Sequence, residues 1–175
     1  MKDQTKDLVR ERWAVGRIVV VMGVSGTGKT TVGRLVARAL AVPFFDADDY
    51  HDAESIARMR AGHPLDATRR LPWLDRVNRA VREAATSGAV VACSALTGEY
   101  RSRLVAGLDD VTFVLLTGAP DLIRERLIER SDHFAGADLL PSQLETLEPP
   151  VGAIVEDVQS DPETVARRVV RALGP

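Results

Sequence analysis

Residues 23–30 read Gly-Val-Ser-Gly-Thr-Gly-Lys-Thr, and their types and spacing suit one task, the holding of phosphate groups. The glycines let the backbone turn sharply and aim successive N–H groups at one point, which makes a nest for an anion. A helix starting at the end of such a loop adds its positive N-terminal end. Gly23, Val24, Ser25, Gly26, Thr27, Gly28, Lys29 and Thr30 are therefore the candidate nucleotide-binding residues. Lys29 would reach the outer phosphates of a nucleotide such as ATP, and the Thr30 hydroxyl would coordinate Mg²⁺. The other lysines, Lys2 and Lys6, stand in a polar N-terminal stretch, and elsewhere the basic residue is arginine. Lysine at position 29 is thus a specific choice. A second group of polar residues, Asp46, Asp48 and His51, follows a short apolar pair, Phe44-Phe45. Acids at the carboxyl end of a strand sit where ligands bind in open α/β sheets.

The elements that must position these residues follow from hydrophobic periodicity. Ile18 to Met22 is an apolar run that reads as a buried strand leading into the loop. Val32, Leu35, Val36, Ala39 and Leu40 then mark one face of a helix. Further strands are expected at Phe44-Phe45, Ala89 to Cys93, Val111 to Leu116 and Ala153 to Val158. Helices are expected over 52–60, from Pro72 to Ala85, Glu99 to Ala106, Asp121 to Arg130, Gln143 to Leu147 and Pro162 to Leu173. Pro72 suits the first turn of its helix, which leaves 65–71 as a polar loop. Strands alternating with helices imply a doubly wound five-stranded parallel sheet with helices on both faces. The expected organisation is a polar extension over 1–16 and one α/β domain over 17–175. That domain carries an acceptor-side segment at about 50–71 and a mobile lid at about 131–141.

Composition narrows the function. A length of 175 residues with 45% hydrophobic and 27% charged residues suits one soluble domain. A net charge of −2 gives no general basic surface for nucleic acid. No apolar run approaches the ~20 residues of a membrane span, and Met1 to Arg12 is too charged for a secretory signal. The single cysteine, Cys93, cannot form an internal disulfide and reads as a small buried residue. A cytoplasmic protein is expected. A guanine-specific Asn-Lys-x-Asp motif is impossible, because no lysine other than Lys29 follows residue 6. A motor or transporter ATPase needs a longer chain. What remains is a small P-loop kinase of the nucleoside-monophosphate-kinase type.

The chain resembles the gluconokinase family from about residue 18 to 150. The resemblance rests on Gly23 to Gly33, Phe45-Asp-Ala-Asp-Asp-Tyr-His51, Met59 to Leu65 and Arg70-Leu-Pro-Trp-Leu74. It continues with Cys93-Ser-Ala-Leu96, Tyr100-Arg101, His133-Phe134 and Leu140-Pro-Ser-Gln-Leu-Glu-Thr-Leu-Glu148. It implies transfer of the γ-phosphate of ATP, with Mg²⁺, to the 6-hydroxyl of D-gluconate; a homodimer is compatible with it. The chain departs from the family pattern at Ala47, Ser55, Ala67, Arg69 and Thr97. Ala67 and Arg69 stand where the family often carries acids, so a change of charge in the acceptor pocket is expected.

On this reading Asp46 serves the Mg²⁺ shell through water, and Asp48 orients or deprotonates the acceptor hydroxyl. His51 contacts the acceptor or caps a turn. Arg58 and Arg101 are candidates for the acceptor carboxylate, which a guanidinium grips bidentately; Arg69 or Arg70 offers a further cation nearby. Arg126 and Arg130, four apart on one helix face, lead into the lid and would bring a positive charge to the transferring phosphate. Trp73 reads as packing. Two other readings stay open: a shikimate-type or other small sugar-acid kinase, and a nucleotide-binding switch without phosphotransfer.

Overall fold

Five strands, β1 (Arg17–Met22), β2 (Phe44–Asp46), β3 (Ala89–Ala92), β4 (Asp110–Thr117) and β5 (Ile154–Asp157), form one sheet in the order β2-β3-β1-β4-β5. All four pairings are parallel. The structure is a computed structural model and describes residues 16–129 and 137–174. Among the described residues seven α-helices accompany the strands: α1 (Lys29–Leu40), α2 (Ala53–Arg60), α3 (Ala67–Ala84), α4 (Gly98–Leu104), α5 (Pro120–Glu129), α6 (Leu140–Thr146) and α7 (Pro162–Leu173).

The sheet is covered on both faces, and β1 shows why. Side chains alternate across a strand. Val19 and Val21 pack with Val32 and Val36 of α1 and Val165 and Val169 of α7. Ile18, Val20 and Met22 pack on the other face with Leu74, Val77 and Val81 of α3 and Leu104 of α4. Each buried aliphatic side chain of this kind stabilises the fold by roughly 1.5–3 kcal/mol. The register sets the site. Asp46 of β2 lies opposite Ala92 of β3, and Ala92 lies opposite Val21 of β1, two residues before Gly23. The acidic strand end and the start of the glycine-rich loop therefore share one rim of the sheet.

Two elements differ from the sequence reading. Helix α3 begins at Ala67, five residues before Pro72. Asp66 supplies the cap: its Oδ1 accepts from the Arg69 N–H at 3.1 Å and from the Thr68 hydroxyl at 2.6 Å. Proline inside a helix removes the bond to the carbonyl four residues earlier, here that of Thr68, an exposed residue whose carbonyl water can serve. The polar "loop" over 65–71 is thus largely a helical turn. The second difference is at the expected lid. Its end, 137–141, is a 3₁₀ turn (Ala137–Leu139) running into α6, with Pro141 in the first turn. Leu140 is buried against Val24, Leu96, Ile123 and Leu127. Residues 131–136, Arg130 and the extension over 1–15 lie outside the described residues.

Candidate active site

The glycine-rich loop is pressed between β4 and α5, which is why two of its glycines admit no side chain. Gly23 has φ +140°, and a Cβ there would stand 2.5 Å from the Leu116 carbonyl oxygen. Gly26 has φ +86°, and its Cβ would stand 2.7 Å from the Leu127 side chain. Inside the turn the Thr27 hydroxyl and the Lys29 ammonium donate to the Val24 carbonyl at 2.9 and 3.0 Å. α1 starts immediately afterwards, so its positive end and the loop N–H groups together form a cradle for phosphates.

The Thr30 hydroxyl donates to Asp46 Oδ2 at 2.8 Å, and Asp46 Oδ1 accepts from the Asp48 N–H at 3.1 Å. Burial raises the Asp46 carboxyl above its ordinary value, and the charges of Asp48 and Asp49 add to this; the bonds from Thr30 and Asp48 oppose it. A half-buried carboxylate beside a hydroxyl is a hard-oxygen donor pair that suits a divalent cation. Among the described residues there is no cluster of three or more His, Cys, Asp or Glu able to hold a metal. A cation at Thr30 and Asp46 would therefore complete its shell with phosphate oxygens and water.

The chain next makes a 3₁₀ turn, Ala47–Tyr50, that carries Asp48 and is followed by His51. The His51 ring stacks on Trp73 at 4.3 Å between centroids and 14° between planes. The Trp73 indole N–H donates to the Ala47 carbonyl at 2.6 Å, so Trp73 is both packing and the platform for His51. Asp48 Oδ1 stands 3.8 Å from His51 Nε2. Burial lowers the His51 pKa below its ordinary 6.5 despite the pull of Asp48 and Asp52, which favours the neutral ring at pH 7.

These residues meet in a cavity of about 260 Å³. Ser25 and Lys29 of the loop line one part, Asp48 and His51 another, and Arg70 and Tyr100 are also in its wall. An Arg70 Nη1 N–H donates to the Tyr100 hydroxyl at 2.8 Å, with the guanidinium carbon 4.7 Å from the ring centroid. Ser142, Gln143 and Thr146 of α6 also line it.

The remaining predicted residues lie elsewhere. Arg101 donates to the carbonyls of Ala95, Leu96 and Glu148 at 3.2, 3.1 and 2.8 Å, which makes it a clamp between loops. Arg58 is outside the cavity lining, in the field of Glu54 and Asp66. Arg126 donates to the Val158 carbonyl at 2.8 Å and ties α5 to the end of β5. Arg69 pairs with Glu54 at 2.6 Å. Cys93 is buried, and burial pushes its thiol up to about 12, so it is no nucleophile. Tyr100 and Gln143 are cavity residues to which the sequence reading gave no role, and no local spacing marks either as a site residue. None of Ala47, Ser55, Ala67, Arg69 and Thr97 lines the cavity.

Residues 25–172 match the family model for shikimate kinase. A probable gluconokinase of Xenopus tropicalis is 38% identical over 172 residues, covering 87% of this chain and 90% of that one. The crystal structure of a gluconokinase from Sinorhizobium meliloti is 37% identical with a TM-score of 0.80, covering 91% of this chain and 93% of the other. The chain belongs to the gluconokinase family. An unliganded sugar kinase structure from a Janibacter species is also similar, at 39% identity and a TM-score of 0.82 over 91% of this chain and 96% of that one. Two stretches that carried the gluconokinase resemblance fall on this cavity. Ser94, Ala95 and Leu96 are in its wall, and Ser142 to Thr146 forms its roof. Glu148 joins the two: its N–H donates to the Leu96 carbonyl at 2.9 Å, and its carboxylate accepts from the Gly98 N–H at 2.6 Å.

Proposed function

We propose that this protein is a gluconokinase that transfers the γ-phosphoryl group of ATP to the 6-hydroxyl of D-gluconate. The observation that carries the reading is a single chamber bounded by the phosphate loop through Ser25 and Lys29 and provided with an acid, a neutral imidazole and an arginine. Phosphoryl transfer needs alignment and charge neutralisation more than covalent chemistry by the protein. The loop amides and Lys29 hold the phosphates of the donor. Thr30 and Asp46 would hold Mg²⁺, which when bound draws negative charge from the phosphate oxygens. Asp48 takes the proton of the 6-hydroxyl or orients it. His51, kept neutral by burial, can donate to or accept from a neighbouring hydroxyl without adding charge. For the carboxylate of gluconate we assign Arg70 in place of Arg58 and Arg101, since Arg70 lines the chamber and Tyr100 holds it. Of the two arginines proposed for the transferring phosphate, Arg126 is held on the Val158 carbonyl, so we assign that role to Arg130. Among the described residues no helix is long and apolar enough to cross a membrane; with the one buried thiol this supports a cytoplasmic enzyme, and a homodimer is the assembly we propose.

The test is an ADP-release assay over gluconate, other aldonic acids, shikimate and nucleoside monophosphates. Gluconate should give the highest kcat/KM. Turnover of shikimate or a nucleotide with none on gluconate would overturn the proposal.

A further inference from the structure

Beside its apolar packing on Val24, the roof of the chamber is hydrogen-bonded to the phosphate loop through Gln143, and the transfer reaction alone gives that contact no role. Gln143 Oε1 accepts from the Ser25 N–H at 2.7 Å, and Gln143 Nε2 donates to the Ser25 hydroxyl at 3.2 Å. Ser25 is the third residue of the loop and is buried. With Lys29, it is one of the loop residues that face the chamber. The hydroxyls of Ser142 and Thr146 are instead bonded within their own segment. The Ser142 hydroxyl donates to the Leu139 carbonyl at 3.0 Å, and the Thr146 hydroxyl donates to the Ser142 carbonyl at 2.7 Å. The roof segment is tied at its far end too, by Glu148 to Leu96 and Gly98, and Leu140 anchors its start in the apolar cluster under α5.

We infer that Gln143 is a positioning residue that seals the chamber at the phosphate loop, fixing the Ser25 peptide and excluding water from the place where the phosphoryl group moves. The inference rests on the kinase reading above. A buried N–H without a partner is costly, on the order of 1–3 kcal/mol, so the Ser25 peptide follows whatever accepts from it. Gln143 makes that acceptor a part of the acceptor-side roof. A well-fitted roof therefore also holds the loop in shape, and a roof without Gln143 leaves a gap beside Ser25. Exclusion of water matters because water can replace the acceptor hydroxyl. Its oxygen then attacks the γ-phosphorus, the bond to the ADP oxygen breaks, and inorganic phosphate and a proton are released. A sealed chamber suppresses this loss.

The test uses the full-length protein with Gln143→Ala and Gln143→Glu. Glutamate keeps the reach and can accept from both the Ser25 N–H and the Ser25 hydroxyl, but it adds a negative charge to the chamber. The first readout is the ratio of acceptor-independent ATP hydrolysis to transfer at saturating gluconate, which a change in acceptor KM alone does not move. This ratio cancels the folded fraction, so a variant that merely folds less well leaves it unchanged. Gln143→Ala should raise it about tenfold, the factor of roughly one lost hydrogen bond. Gln143→Glu should keep it within about twofold of the parent and instead raise the KM for the anionic acceptor. The second readout needs no nucleotide: exchange of the Ser25 amide hydrogen should accelerate in Gln143→Ala and stay slow in Gln143→Glu, with the amides of β1 and α1 unchanged in both. An unchanged ratio in Gln143→Ala, an equal rise in both variants, or an acceleration spread evenly over β1 and α1 would overturn the inference. A parent enzyme inactive on gluconate would instead strike the kinase reading, and the exchange result would still report on the Ser25 contact.

Discussion

Asp46 shows how a single residue can trade stability for function. Its carboxyl is raised above the ordinary 3.8 mainly by burial, so the fold disfavours the charged form. A group whose folded pKa is raised contributes stability that is fully present below the unfolded pKa and is lost as pH rises through the folded one. At neutral pH the nucleotide-free protein therefore carries a penalty at this site, which a bound cation would relieve. Asp46→Asn keeps the hydrogen bonds, with Oδ1 accepting from the Asp48 N–H and Nδ2 donating to the Thr30 oxygen. In the absence of ligand the variant should melt at or above the parent temperature at pH 7, and the gap should close as pH falls below about 4. Addition of Mg²⁺ and ATP should stabilise the parent far more than the variant, and turnover should fall by a hundredfold or more. Melting curves at several pH values, with and without ligand, check both halves. A variant less stable than the parent at pH 7 but not at pH 3.5 would contradict the sign argued here.

At the scale of elements, the lesson lies in α3. A helix start at Pro72 respects proline's preference for a first turn, yet the Asp66 cap outbid it, and the sequence does carry the signal of an Asp three residues before Arg69. The consequence is functional, because the extra turn puts Arg70 on a helix facing Tyr100 and the chamber. Asp66→Ala should cost about 1 kcal/mol of stability, as lost N-caps do. It should also raise the KM for gluconate while leaving the KM for ATP within twofold, since fraying the first turn loosens Arg70 and not the loop. Arg70→Ala should raise the gluconate KM at least tenfold. Equal effects on both substrates would place Arg70 outside the acceptor subsite. The loop, its strand and its helix were legible because eight residues there obey one backbone rule. Asp46 was legible as an acid at a strand's carboxyl end, but its bond to Thr30 depends on the order of the strands, which the sequence reading did not give. The positions of Arg58, Arg101 and Arg126 were not legible: an arginine in a sequence does not reveal whether it meets carbonyls, carboxylates or a ligand, and Arg101 and Arg126 here meet carbonyls.

At the scale of the whole molecule, the chamber is assembled from segments far apart in sequence, and that decides which departures from the family pattern matter. The sequence reading set Ala67 and Arg69 near the acceptor pocket, because they stand where the resembled family often carries acids. In the folded chain a helix separates them by direction. Arg69 reaches out to Glu54 of α2 at 2.6 Å, and Ala67 is the exposed first residue of α3. Position 67 therefore faces solvent, and the charge of Arg69 is screened from a ligand in the chamber by solvent and by its paired partner. Thr97 caps α4 by accepting from the Tyr100 N–H at 3.3 Å, and Ala47 is fully buried beneath Trp73; both support the wall from behind. We expect that restoring an acid at position 67, Ala67→Asp, changes gluconate kcat/KM less than threefold. It should also raise the melting temperature slightly, because a carboxylate in the first helical turn gains about 0.3–1 kcal/mol from the helix dipole. Arg69→Ala should likewise spare kcat/KM and cost at most about 1 kcal/mol, the range of an exposed ion pair. The ranking of gluconate over other aldonic acids should be the same in all three proteins. A double variant that changes that ranking tenfold would show that charge outside the chamber selects the acceptor, and the assignment of discrimination to Asp48, His51 and Arg70 would have to be given up.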